Sequence, residues 1–354
     1  MIDSRDDSSP RSPARSATIS DVARQAGVSP MTVSRVVNGS AGVRDETRRK
    51  VLASIESLGY EPNAAARSLA GSGGGRIGLL YSNPSASYLG EFLLGALVGA
   101  RRVGAQLLME RCDGPFSEDE ARAVARMISG GVSGVLLPPP HGESTAAVKA
   151  LRAAGVAVVA VATGHARPDL SSVRIHDHAA AGDMARHLLA LGHRRMGFIV
   201  GATDQTSSAE RLRGFEDTIL EAGAEAYVEA GDFTYRGGFA AAERLLARKP
   251  RPTVIFASND DMAAATIGVA HRLRLDVPGD LSVVGFDDTP IARNLWPELT
   301  TVRQPIAEMA ETAIERLALE MRGVGGEERV DYITPHTLIV RDSAAPVSDT
   351  RERD

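Results

Sequence analysis

The sequence predicts a multidomain chain, a small all-α headpiece followed by an α/β core of two doubly wound parallel-sheet subdomains. Three observations carry that expectation. Helical patterns ended by Gly27 and Gly59 fill residues 18–62. A glycine run interrupts the chain at 71–75. From Arg76 to about residue 341, short apolar runs alternate with amphipathic stretches.

Length and composition bound the answer. A chain of 354 residues suits two or three domains, and 43% hydrophobic with 24% charged residues is globular composition. Aromatics are only 4%, so Ala, Leu, Val and Ile must fill the core. No stretch reaches the ~20 apolar residues of a membrane span. Residues 1–17 carry acids and prolines without an apolar segment, which predicts a disordered tail and no secretory signal. Cys112 stands alone, excluding an internal disulfide framework and a cysteine-based zinc site. A cytoplasmic protein without cofactor is expected. The net charge of −5 argues against indiscriminate nucleic-acid coating, but it is uneven. Residues 1–71 hold ten Arg/Lys and eight Asp/Glu, whereas the remainder is acidic, so only the head suits phosphate.

Within the headpiece, Ile19, Val22, Ala23 and Ala26 share one helical face and Gly27 stops the helix. Ser29 and Pro30 are start signals for a second helix to Val37. A third opens near Asp45, with Val51, Leu52, Ile55 and Leu58 recurring along it. This is helix-turn-helix spacing. Thr32, Ser34, Arg35 and Asn38 lie on the face its small core does not need, as in a helix that enters the major groove. Arg35 suits guanine; Pro30 and Met31 offer apolar contact to a thymine methyl. A plain surface helix is the alternative.

The runs at 18–29, 32–38, 47–63 and 65–71 follow one another as they do in the LacI/GalR family of DNA-binding regulators, which the chain resembles to about residue 341. The resemblance implies double-stranded operator DNA as partner, with Pro30, Met31 and Arg35 reading bases. Thr18, Ser29, Thr32 and Ser34 complete the DNA-facing set, and Asn38, Tyr60 and Asn63 contact backbone. It also implies a hinge helix within 63–75, where Leu69 wedges into the minor groove and Ala66 keeps the helix face small. Two helical turns are too short to hold alone in water, so the hinge should fold on DNA. Leu69 packing on the core is the other reading. A phosphate loop at 71–75 is disfavoured because no strand precedes the glycines.

The core blocks 185–201, 211–215, 229–233, 256–288 and 297–305 resemble the family's effector domain, itself similar to periplasmic binding proteins. Carried over, Arg211, Asn259 and Asp287 are effector contacts, Phe233 a stacking platform, and Ser87 and Tyr88 the contribution of the other subdomain. Each has a plainer alternative: Arg211 paired with an acid at a helix start, Asp287 a cap, Phe233 ordinary core. His176 stands where the family has Asp. The His176-Asp177-His178 triplet lacks a third ligand for a metal.

These readings converge on an effector-controlled, homodimeric repressor with a small-molecule effector, a sugar or glycoside first and a purine second. A corepressor-dependent or activating regulator remains open. A solute-binding protein would lack the headpiece, and an enzyme would need a nucleophile, base or metal set that is not visible. Residues 342–354 carry no apolar heptad and are expected to be a disordered tail.

Overall fold

The computed structural model describes residues 18–37, 43–58, 75–82, 85–323 and 329–347. The chain divides into two compact units, residues 1–73 and 74–354.

In the first unit, α1 (Ile19–Ala26), α2 (Pro30–Val37) and α3 (Asp45–Leu58) bury Val22, Ala23, Val33, Val36 and Val51. Thr18 caps α1 in a capping box with Asp21, and Gly27 closes it at φ 68°, a left-handed conformation that glycine adopts without strain. Leu52 is half-exposed rather than core.

The second unit holds two six-stranded sheets. The N-terminal subdomain has β1 (Arg76–Tyr81), β2 (Gln106–Arg111), β3 (Gly134–Leu137), β4 (Ala157–Val161), β5 (Ser171–Arg174) and β11 (Asp331–Ile333). Their order is β11-β5-β4-β3-β1-β2, all parallel. The C-terminal subdomain has β6 (Arg195–Val200), β7 (Glu225–Ala230), β8 (Val254–Ala257), β9 (Ser282–Asp287), β10 (Thr300–Arg303) and β12 (Thr337–Ile339). Its order is β12-β10-β9-β8-β6-β7, with only β12 antiparallel. Strands β3, β8 and β9 are buried on both faces, which is why they read as unbroken apolar runs.

The intervening helices are α4 (Ala86–Val103), α5 (Glu118–Ser129), α6 (Thr145–Ala153), α7 (Asp177–Ala190), α8 (Thr206–Glu221), α9 (Tyr235–Leu246), α10 (Asp260–Arg272), α11 (Pro290–Asn294) and α12 (Ile306–Met321), with a 3-10 turn at His141–Glu143. The chain crosses between subdomains after β5, after β10 and between β11 and β12. Helix α12 therefore packs on α4 of the first subdomain although it follows β10 of the second. A Cβ at Gly95 would lie 2.0 Å from the Ala307 carbonyl oxygen, so this helix pair needs glycine there.

The expectation of a disordered tail from Asp342 fails for residues 342–347. Ser343 is fully buried, donating to the Val283 carbonyl at 2.6 Å and accepting from Thr300 N at 2.8 Å. Val347 N bonds to the Leu191 carbonyl at 2.9 Å. Backbone pairing with the sheet and helix, which composition does not encode, orders this segment.

Candidate functional site

Two surfaces carry chemistry. On the headpiece, Pro30, Met31 and Arg35 are exposed while Val33 and Val36 on the same helix are buried. Met31 is 67% exposed and lies outside the headpiece core formed by the described residues. Ser29 Oγ accepts from Thr32 N at 3.2 Å and lies 2.9 Å from Thr32 Oγ1, so these side chains order the start of α2. The Thr18 hydroxyl donates to Asp21 Oδ2 at 2.6 Å and is committed to the cap of α1. Asn38, Tyr60, Asn63, Ala66 and Leu69 lie outside the described residues.

The second surface is a cleft at the carboxyl ends of the strands, where doubly wound sheets bind ligands. It is lined from the first subdomain by Ser85, Tyr88, Pro139 and Ala162. Arg211, Phe233, Asn259, Asp287 and Gln304 are among the lining residues from the other. Five of the six residues expected from sequence thus converge. Ser87 does not. Ser85 caps α4 by accepting from Tyr88 N at 3.1 Å, and these two, three apart, share a helix face from which Ser87 is turned by about 100° per residue.

Arg211 is held from several sides. Its Nε donates to Asp177 Oδ1 at 2.8 Å, its Nη1 donates to the Ser258 carbonyl at 2.7 Å, and Asp287 Oδ1 lies 3.6 Å from Nη1. The guanidinium sits 3.7 Å over the Phe286 ring. The plainer reading, a pair with an acid at a helix start, is therefore also true: Asp177 opens α7. Asp287 is no cap. It ends β9 at φ 110°, a strained conformation for a residue with a side chain, and accepts from Gln304 Nε2 at 2.6 Å. Burial pushes its carboxyl up to about 7, against the opposing pull of Arg211. Asn259 caps α10 through Oδ1 and donates from Nδ2 to the Phe233 carbonyl at 3.0 Å, holding Phe233 at φ 65°.

Two buried polar atoms facing this cleft have no partner among the described residues, Tyr88 Oη and Gln304 Oε1. Because Gln304 Nε2 is spent on Asp287, its Oε1 is left as an acceptor. Burial and nearby Asp287 hold the Tyr88 hydroxyl protonated by raising its pKa far up. Sequence reasoning missed Gln304, Gln205, Ser207 and Asp177; Gln304 directly follows β10, a signal that could have flagged it, whereas the other three lie in or beyond the loops after β6 and β5. His176 precedes α7 without a side-chain capping bond, and His178 Nε2 pairs with Asp217 at 2.9 Å. Among the described residues no group of three or more His, Cys, Asp and Glu is placed to hold a metal, and no helix is long and apolar enough to cross a membrane.

A helix-turn-helix headpiece and a two-subdomain core with a polar cleft at its strand ends define a DNA-binding regulator with a small-molecule site. The chain belongs to the lacI family of bacterial regulatory proteins, whose headpiece profile matches residues 18–63. A periplasmic binding protein-like domain matches residues 185–344. Catabolite control protein A of Priestia megaterium is 33% identical over 92% of this chain and 98% of its own length. The transcriptional repressor PurR of Pectobacterium carotovorum subsp. carotovorum is 35% identical over 93% and 97% respectively. A Lac repressor dimer bound to operator and the anti-inducer ONPF superposes with a TM-score of 0.73 at 28% identity, covering 94% of this chain and 100% of that one. A complex of the regulator CelR with cellobiose gives 0.70 at 31% identity, over 92% and 99%. The chain is thus an effector-regulated, DNA-binding transcription factor rather than an enzyme.

Proposed function

We propose that this regulator is a repressor that grips a near-palindromic operator as a homodimer in the cytoplasm and releases it when a sugar or small glycoside fills the cleft. The observation that carries this reading is the pair of unpartnered buried atoms, Tyr88 Oη and Gln304 Oε1, beside Arg211 and Asp287. A polyhydroxylated ring presents hydroxyls that both donate and accept, and so satisfies both atoms at once. Phe233 supplies a flat apolar face. The similar regulator CelR, solved as a complex with cellobiose, supports the same effector class.

On the DNA side, Arg35, Met31 and Pro30 read bases, with Thr18, Ser29, Thr32 and Ser34 beside them. Asn38, Tyr60 and Asn63 hold the backbone, Leu69 is the minor-groove wedge, and Ala66 keeps its helix face small. Twofold operators require a twofold protein. The exposed apolar stripe Leu94, Leu97 and Val98 on α4 gives a dimer surface.

The test is to select operator DNA from a random pool with the full-length protein, then titrate the complex with mono- and disaccharides, and with guanine and hypoxanthine. Release by a sugar supports the reading. Tightening by a purine would make the protein a corepressor-dependent regulator instead.

A further inference from the structure

The two subdomains that form the cleft are also bridged by a contact between residues outside its lining set. Helix α8 carries Ser207 and Arg211 into the cleft, yet its own N-cap residue, Gln205, makes no side-chain capping bond. The missing cap comes from the opposite subdomain. Glu143 Oε1 accepts from Thr206 N at 3.2 Å and from Thr206 Oγ1 at 2.5 Å. A carboxylate at a helix N-terminus also complements the helix dipole. Thr206 Oγ1 in turn accepts from Gly164 N at 2.8 Å. A Cβ at Gly164 would lie 2.5 Å from the Thr206 carbonyl carbon, so the approach requires glycine.

Glu143 is not on a free loop. It ends the 3-10 turn that begins with His141, which is fully buried. His141 Nδ1 donates to Glu120 Oε1 at 2.7 Å, and its Nε2 lies 2.9 Å from Ser82 Oγ. Arg167 Nη1 donates to the Gly142 carbonyl at 2.7 Å. The turn is therefore fixed to the N-terminal subdomain at three points, and Glu143 projects from it. A second bridge, Ser85 Oγ donating to Asp261 Oδ2 at 2.5 Å, joins the subdomains elsewhere on the rim.

We propose that Glu143, anchored through His141, is a latch: by capping α8 at Thr206 against Gly164 it holds the two subdomains together before any ligand arrives. If the cleft is the effector site, as read above, the latch sets the fraction of molecules already in the closed arrangement. That fraction scales the apparent affinity for any ligand that prefers it. Glu143, Thr206 and Gly164 are thus positioning residues.

The experiment uses neither operator nor effector, so its failure and that of the functional reading are separable. Spin labels at Lys149→Cys and Glu221→Cys, both exposed and on opposite subdomains, report the separation by pulsed dipolar spectroscopy in the full-length protein. Buried Cys112 is left in place. Thr206→Val and Gly164→Ala should each move the closed-to-open ratio by about tenfold or more, the worth of a hydrogen bond to a charged group. Thr206→Ser, which keeps the hydroxyl, should retain the wild-type distribution. Adding Glu143→Gln to Thr206→Val should open the cleft further, because Thr206→Val leaves the carboxylate its bond from the backbone N–H of residue 206. Circular dichroism checks each fold, and Gly164→Ala approaches the latch from the other subdomain should Thr206→Val prove unstable. Wild-type distance distributions in both Thr206→Val and Gly164→Ala would overturn the latch.

Discussion

Arg211 Nε donates to Asp177 Oδ1 at 2.8 Å, and neither side chain is more than 4% exposed. This pair joins α8 to α7 beneath the cleft and fixes the guanidinium between Asp177 and Asp287. A buried charge that loses its partner is costly, whereas removing both charges together is often nearly neutral.

Asp177→Ala should therefore destabilise the core by about 3 kcal/mol in urea unfolding. Adding Arg211→Met should restore part of that loss. A double variant as unstable as the sum of the two singles would show that the pair does not act as a unit.

Asp287 gives a pH signature. An unfolded aspartate titrates near 3.9, whereas burial pushes the folded carboxyl up to about 7. The folded state binds this proton more tightly, so the contribution of Asp287 to stability is full below about pH 4 and is lost as pH rises through about 7. Asp287→Asn cannot lose it. The variant should gain on wild type between pH 4 and pH 8, read as the difference in urea midpoint at each pH. A difference flat across that range removes the buried carboxyl from the account.

Tyr88→Phe separates folding from binding. Its Oη is buried without a partner among the described residues, so deleting it should raise stability by up to about 1 kcal/mol. The same change removes a hydrogen bond from the bound effector, and roughly tenfold more of the sugar found by the screen should be needed to release operator. Unaltered release would take Tyr88 out of the effector site.

Leu69→Ala should weaken operator binding by about 1–3 kcal/mol while leaving nonspecific DNA binding intact, if the side chain unstacks the central base step. Footprinting of wild type and variant on the selected operator decides it. An unchanged affinity would assign Leu69 to packing.

Light scattering at micromolar concentration should give the mass of two subunits, and Leu97→Glu, on the exposed stripe of α4, should give one. A mass of four subunits in the wild type would overturn the homodimer reading.

The elements of this protein were legible in its sequence because their signals are local. Ser29 and Pro30 announce a helix start, Gly27 a helix end, and the unbroken apolar run at 281–286 a strand buried on both faces. The cleft residues Arg211, Phe233, Asn259 and Asp287 were legible only through resemblance, since each has an ordinary structural use and the structure shows several in that use as well. Tertiary structure alone decided the rest. Ser85 replaces Ser87 because helix phase, set by the cap, turns one toward the cleft and the other away. Gln304 enters because β10 ends beside β9. Residues 342–347 are ordered because the edge they meet offers Val283, Thr300 and Leu191 as backbone partners. Glu143 meets Thr206 across 63 residues of chain, and no pattern within either segment encodes that contact. Sequence determines what each segment prefers within a turn or two; which groups then face one another across a gap follows from how two sheets and three crossovers are packed.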